Sequence, residues 1–390
     1  MHSIIQAPPS FLWALRRERL NRKYQMNGEC GMKLTARDLI SALGRAMHRY
    51  FIWLIIASYG VAAGWPGFGL WLRSLDAGSI FGPHSGVHIY LLPAMLASLL
   101  FHAGLGVRLD ELRGLLRRSR VMLGGLFANF AAPLAFILAV SFIMKLWYNP
   151  REAQQLLTGL ALVAAMPVAG ASTAFAQNAN GNLALSLGLV LFTTAVSPLT
   201  TPLTLHAVGF MTTGDYSEDL HELASGDAVS FLGTWVILPS LLGIAINPLL
   251  GEHRITRLTP YLKLMNCVVL LLLNYSNAAL TLPRVTHHPD PDFLFAIFVI
   301  VTALCAAGFA AGFLLARIAR TDRYDMASLM FGLGMNNNGT GLVLASMELA
   351  AHPMVMLPVI FYNLVQYLLA SLVDFVMFRE VFSGPQNTRP

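Results

Sequence analysis

Three consecutive asparagines, Asn336, Asn337 and Asn338, stand between Gly334 and Gly339 in an otherwise apolar stretch, and a second polar interruption, Met166-Pro-Val-Ala-Gly-Ala-Ser172-Thr173, stands in another. With Asn129, Ser186, Thr193 and Thr194 they make a set of neutral oxygen donors. Hard cations such as Na⁺ prefer oxygen ligands, and an unwound helix adds free carbonyls. The N-terminus of a half-helix is a positive dipole end that suits a carboxylate or sulfate. Two broken helices meeting at such points can therefore hold a cation and an organic anion together. Enzyme chemistry finds less support. Gly170-Ala-Ser172 is superficially like a serine motif, but no His lies at the centre of a span to act as its base, and no HExxH occurs.

These residues need particular elements to position them. Pro167 has no amide hydrogen and disfavours helix in the residue before it, so a helix crossing it kinks or stops. Gly332, Gly334, Gly339 and Gly341 bracket the asparagines and weaken the second helix. In an intact helix adjacent asparagines lie about 100° apart, so at least one would face lipid, which cannot satisfy an amide. Both stretches, about 155–179 and 325–348, are therefore expected to be broken at their centres around a polar cavity.

The whole chain agrees with a membrane setting. Of its 390 residues 56% are hydrophobic and only 12% charged, well below the roughly 25% of a soluble domain, and mean hydropathy is +0.60. Ten apolar segments are long enough to span a bilayer: 48–70, 85–106, 119–147, 155–179, 183–209, 226–250, 261–283, 292–317, 325–348 and 353–378. With both termini in the cytoplasm, 22 of the Lys and Arg residues fall on the cytoplasmic side and four (Arg73, Lys145, Arg151, Arg284) on the other. Basic residues arranged in this way set orientation and give no reason to invoke nucleic acid. The expected fold is all-α and integral to the cell (inner or plasma) membrane, with two inverted five-helix repeats at about 46–210 and 225–380. An N-terminal extension (1–45) and a tail (381–390) lie in the cytoplasm. The breaks then fall in the fourth helix of each repeat. Cys30, Cys267 and Cys305 are scattered and are expected as free thiols. His102 and His206 lie near span ends, and Asn178, Asn180 and Asn182 in a solvated turn.

The run Pro167-Val-Ala-Gly-Ala-Ser172-Thr-Ala-Phe-Ala-Gln-Asn-Ala-Asn-Gly181-Asn182, with Thr193-Thr-Ala-Val-Ser197-Pro198 after it, resembles spans four and five of the bile acid:sodium symporter family. Phe127-Ala-Asn129-Phe-Ala-Ala-Pro133 is similar to that family's third span, and Gly334-Met335-Asn336-Asn337-Asn338-Gly339 to its ninth. The resemblance implies ten helices in a core domain and a panel domain, with helices four and nine crossing near two Na⁺ sites. It also implies Na⁺-coupled symport of bile acids or other small organic anions, such as keto acids, by alternating access. By position, the first Na⁺ site would use Ser172, Thr173 and Ser186. The second would use Asn129, the carbonyls of Leu333 and Met335, and Asn336. Asn337, Asn338, Thr340, Asn274 and Asn277 are substrate candidates, the last two equally suited to helix packing.

Two positions depart from the family. Gly332 replaces a common acidic ligand and Val190 a threonine. A cation held by neutral ligands alone leaves its charge uncompensated, so the expectation is either one Na⁺ coupled tightly to an anionic substrate or no Na⁺ at all. Proton-coupled or uncoupled anion transport is the alternative. An arsenite-type permease would need a thiol in the fourth span, which has none.

Overall fold

The computed structural model describes residues 50–79, 88–107 and 119–378 and isolated positions between 40 and 47. Almost all of the expected N-terminal extension, most of the basic Arg108–Arg120 loop and the tail 381–390 lie outside the described residues.

The chain is all-helical apart from one small hairpin. Helix α1 (Phe51–Gly64) closes where Trp65 N–H donates to the Val61 carbonyl at 2.7 Å, and α2 (Gly67–Ser74) leaves it at 93°. The expected continuous span 48–70 is thus bent, because Pro66 cannot donate to the turn before it. Strands β1 (Asp76–Ser79) and β2 (His88–Tyr90) pair antiparallel and lead into α3 (Leu91–Leu105). There follow α4 (Ser119–Met144), α5 (Pro150–Ala165), α6 (Ala171–Asn178) and α7 (Leu183–Gly209). Helix α8 (Asp215–Leu250) contains π-turns at Leu223–Asp227 and Gly233–Ile237. Then come α9 (Glu252–His287), α10 (Pro291–Ile318), α11 (Arg323–Gly334), α12 (Asn338–Glu348) and α13 (Met356–Val373).

Several of these starts are written in side chains. Asn149, Asn182, Asp290, Asp322 and Asn337 each accept a hydrogen bond from a first-turn amide of the helix they precede. Asn182, expected in a solvated turn, also donates to Asp325 Oδ1 at 2.8 Å and so ties the start of α7 to the start of α11. The acidic stretch Asp215 to Glu222, expected as a loop before a span at 226–250, is helical. Its Asp215 and Glu218 occupy the first turn, where the dipole favours carboxylates.

Among the described residues six helices are long and apolar enough to cross a membrane, seven if α1 and α2 count as one bent span, and α3 is a shorter apolar helix. The protein is therefore an all-α, multi-pass membrane protein. Its helices pack in two sets. Helices α1, α2, α3, α9 and the C-terminal part of α8 lie together, and α4 to α7 lie with α10 to α13. The sets meet where α12 touches α3 and α9 and where α13 touches α1 and α9.

Glycines decide how closely helices of the first set approach. A Cβ at Gly104 of α3 would collide with the Ser240 carbonyl of α8, and one at Gly243 of α8 with the Phe101 carbonyl of α3. Backbone on backbone is the packing that small residues permit in membranes. Gly243→Val is expected to lower the thermal unfolding midpoint in detergent, at a cost of about 1–3 kcal/mol. An unchanged midpoint would mean that the two helices do not touch in this way.

Candidate functional site

The two breaks lie against each other. Between α5 and α6 the chain is extended at Val168, between α11 and α12 it is extended around Asn336, and these two residues form an antiparallel β-bridge. Ala169 N–H donates to the Met335 carbonyl at 2.9 Å and Asn337 N–H to the Pro167 carbonyl at 2.8 Å. Val168 and Asn336 thus form a non-hydrogen-bonded pair, whose own amides point away from each other. Each amide is caught by a side chain from the helix that follows the broken pair. Val168 N–H donates to Thr193 Oγ1 of α7 at 3.1 Å, and Asn336 N–H to Gln366 Oε1 of α13 at 3.1 Å. Backbone freed by breaking two helices is satisfied almost reciprocally, as it must be away from water.

Further bonds pin the helix ends. Thr201 Oγ1 donates to the Ala165 carbonyl at 2.6 Å, closing the end of α5. Asn336 Nδ2 donates to the Val163 carbonyl at 3.0 Å, so an α12-side asparagine also caps α5. At the end of α11, Cys305 Sγ and Tyr362 OH each donate to the Gly334 carbonyl at 3.4 Å. From Gln366 a chain of amides runs on: Gln366 Nε2 donates to Asn363 Oδ1 at 3.3 Å, and Asn363 Nδ2 to Asn274 Oδ1 at 2.9 Å and Tyr59 OH at 3.0 Å. This network joins the breaks to α1 and α9.

What remains unpaired is more informative. The buried side-chain atoms without a partner among the described residues are Ser172 Oγ, Asn336 Oδ1, both amide atoms of Asn338, Thr340 Oγ1, Ser276 Oγ, Asn277 Nδ2 and Thr158 Oγ1. Leaving each such group unmade costs about 1–3 kcal/mol. Ser172, Asn336, Asn338 and Thr340 belong to the two breaks, where four half-helix ends meet. The ends of α5 and α11 present carbonyls and partial negative charge; the starts of α6 and α12 present amides and partial positive charge. The amides of Asn336 and Asn337, which would close α11 on Leu333, go instead to Gln366 and Pro167. The Leu333 carbonyl lies against α10, where a Cβ at Gly308 would stand 2.5 Å from it. Unpaired oxygens beside helix C-termini suit a cation, and unpaired donors beside helix N-termini suit an anion.

The expected site residues divide accordingly. Ser172 is fully buried and open at Oγ, while Ser186 Oγ donates to Thr173 Oγ1 at 3.3 Å, which brings the three members of the first set to neighbouring turns of α6 and α7. In the second set Asn336 keeps an open Oδ1, while the Leu333 carbonyl packs against Gly308 of α10. The Met335 carbonyl already accepts from Ala169, with one lone pair to spare. Asn129 is partly buried on α4, one turn beyond Gly125, and no hydrogen bond joins it to either set. Asn338 and Thr340 are buried and open, and Asn337 caps α12 through Thr340 N–H at 3.4 Å. Asn277 is open at Nδ2, whereas Asn274 has its oxygen shared by Tyr59 and Asn363 and its nitrogen on the Leu270 carbonyl, a helix-packing arrangement. Thr193, grouped with the oxygen donors by sequence, has its hydroxyl committed to the Leu189 carbonyl and the Val168 amide.

Gln366 and Asn363 escaped the sequence reading because α13 has no interruption to attract notice. Their spacing of three, which puts two amides on one helix face, was the available signal. Leu189 was missed too. A Cβ at Gly332 would stand 2.9 Å from Leu189 Cδ1, and one at Gly125 2.6 Å from Leu189 Cδ2. A buried leucine therefore fills the space beside Gly332, where the family resemblance implies an acidic side chain.

Two opposed helix breaks, paired through their backbones and lined with unpartnered polar groups, are the architecture of a membrane transporter. The sequence model of the Sodium Bile acid symporter family matches residues 93–288, half of the chain, and the chain belongs to that family. This is a family of transporters and not of enzymes. The chain is similar to two proteins of Bacillus subtilis (strain 168). It is 28% identical over 228 residues to the uncharacterized protein YbaS, covering 57% of this chain and 69% of the relative. It is 21% identical over 251 residues to the uncharacterized sodium-dependent transporter YocS, covering 64% of this chain and 72% of the relative.

The packing at Gly332 is directly testable. Gly332→Glu is expected to unfold at lower temperature than the parent, because Leu189 is held between α4 and α11 and cannot withdraw; adding Leu189→Ala should recover most of the loss. Equal stability of the single variant and the parent would show that the space beside Gly332 is open.

Proposed function

We propose that this protein is a secondary active transporter that couples Na⁺ to the movement of a small organic anion by alternating access. The observation that carries the reading is the bridge between Val168 and Asn336, beside which Ser172 Oγ, Asn336 Oδ1, the amide of Asn338 and Thr340 Oγ1 are buried without a partner among the described residues. Family membership and the printed name of YocS, a sodium-dependent transporter, support Na⁺ as the coupling ion.

In this reading the helices fall into ten spans. The bent pair α1–α2, α3, α4, the broken pair α5–α6 and α7 form one repeat. Helices α8, α9, α10, the broken pair α11–α12 and α13 form the second, inserted upside down. The reciprocal capping supports it, since an inverted repeat requires that α7 do for the first break what α13 does for the second. The first packing set would be the panel domain and the second the core domain, with both termini in the cytoplasm and the protein in the cell membrane.

Ser172, Thr173 and Ser186 would hold one Na⁺, and Asn129, Leu333, Met335 and Asn336 a second. Asn337, Asn338 and Thr340 at the start of α12 would meet the anion at the crossing, and Asn277 of α9 would meet it nearer the other end of α12. Asn274 is better placed to hold α1, α9 and α13 together. With Leu189 in the place of a carboxylate, cation charge at the crossing is balanced by the substrate itself, since low dielectric makes an isolated charge costly. Each partner thereby improves binding of the other, which is what symport requires. An uncoupled anion carrier is the second reading, and the missing carboxylate is the observation that favours it.

Reconstituted vesicles separate the two. Uptake from a panel of keto acids, other small carboxylates and sulfonated sterols is expected to rise with an inward Na⁺ gradient and not with a proton gradient alone. Ser172→Ala and Asn336→Ala should raise the half-saturating Na⁺ concentration by about tenfold, the value of one charged-group hydrogen bond. Uptake indifferent to Na⁺ would establish the uncoupled carrier.

A further inference from the structure

Among the described residues the fold half-buries one cation that the crossing of broken helices does not use. Of the described Lys and Arg residues, Arg73 on α2 is the one that is not exposed. One helical turn before it, Gly69 fits α2 closely against α9, where a Cβ would meet Ala279, Tyr275 and Ser276. This seating holds the Arg73 guanidinium between the two packing sets. Its Nη2 donates to the Ser346 carbonyl near the end of α12 at 2.6 Å, and its Nη1 lies 3.4 Å from Asn277 Oδ1 of α9. No ion pair joins it to a carboxylate among the described residues. Among the described residues, two neutral oxygens and the negative end of a half-helix dipole offset its charge.

Two features make this environment unlike that of a structural arginine. The Nη1 bond is long, and only two of five N–H donors have partners among the described residues, so the planar fork keeps capacity for a bidentate acceptor. Asn277, which faces Nη1, keeps its Nδ2 buried and unpaired among the described residues, as does Ser276 Oγ on the preceding residue of α9. A carboxylate or sulfonate would satisfy the fork, the spare amide hydrogens and the uncompensated charge together. Helix α12 links this place to the crossing: eight residues separate Asn338 from Ser346, about 12 Å at 1.5 Å per residue.

We propose that Arg73, with Asn277, is the anion-selecting station of the transport path, taking the acidic group of the organic substrate at the end of α12 remote from the crossing. The anion displaces the Ser346 carbonyl from the guanidinium. Binding thereby releases the link between α2 and α12, so occupancy of the station and separation of the two packing sets are one event. The inference deepens the transporter reading by naming the residue that demands a negative charge.

The test uses the full-length protein in lipid nanodiscs, with benzoate, 2-oxoisovalerate and taurocholate as anionic probes and benzamide as the neutral control. Binding is read from ligand-induced thermal stabilisation. Wild type is expected to bind at least one anionic probe and to bind benzamide far more weakly. Arg73→Gln keeps a donor for the Ser346 carbonyl but loses the charge, and should weaken anion binding by about tenfold or more, with Arg73→Lys intermediate. Its unfolding temperature without probe should stay close to that of wild type. Anion affinity unchanged in Arg73→Gln, equal affinity for benzamide and benzoate, or no binding of any anionic probe by wild type would each overturn the proposal. Charge-dependent binding through Arg73 without Na⁺-driven uptake would sink the transport reading and leave this one standing. Na⁺-driven uptake with an unaltered KM in Arg73→Gln would do the reverse.

Discussion

A backbone amide or carbonyl stripped of its helix partner inside a bilayer has no water to turn to, and each one left bare costs several kcal/mol. Breaking two helices at the same depth creates several such groups at once. The protein meets that constraint by setting the two breaks against one another, so that Ala169 donates to Met335 and Asn337 to Pro167, and by lending Thr193 and Gln366 to the two amides that point outward. Every other feature of the site follows from this pairing. It fixes where four half-helix ends meet, and with them where partial charges of both signs lie close together.

The side chains around the pairing behave differently from its backbone. The amides of Val168, Ala169, Asn336 and Asn337 are all bonded, whereas Ser172, Asn336, Asn338 and Thr340 bury polar atoms that have no partner among the described residues. Such groups destabilise a resting fold, and their concentration where two helices are broken is what a site for exchangeable ligands requires. The network from Gln366 through Asn363 to Tyr59 and Asn274 carries the opposite signature, since its members are buried and bonded to each other across three helices. It supplies the rigid frame against which a change at the breaks is felt.

Much of this was legible in the residues. Pro167 and the glycines around Asn336 to Asn338 announced the breaks, because proline and glycine act on the chain locally and need no tertiary context. Apolar length announced the membrane helices. What the sequence could not show was set by packing. The bend at Trp65 and Pro66 was hidden because the stretch stays apolar on both sides, and the helical Asp215 to Glu222 looked like a loop because charge is a poor guide to structure in water. Leu189 gave no sign of filling the space beside Gly332, for an apolar residue in an apolar span is silent until its neighbours are known. Arg73 was read as an outer-loop residue by charge counting alone; its partners, Asn277 and Ser346, lie more than 200 residues away in the chain.

The pairing of the two breaks can be measured without knowing the substrate. In a chain with Cys30, Cys267 and Cys305 replaced, cysteines are placed at 168 and 336, and the membrane-embedded protein is oxidised. A non-hydrogen-bonded antiparallel pair sets its Cα atoms roughly 4.5 Å apart, within the range a disulfide bridges. The account predicts rapid, near-complete cross-linking of this pair and little when the second cysteine is moved to 344, two turns along α12. Absence of the 168–336 cross-link, or equal yields from both pairs, would contradict the claim that the two breaks are joined.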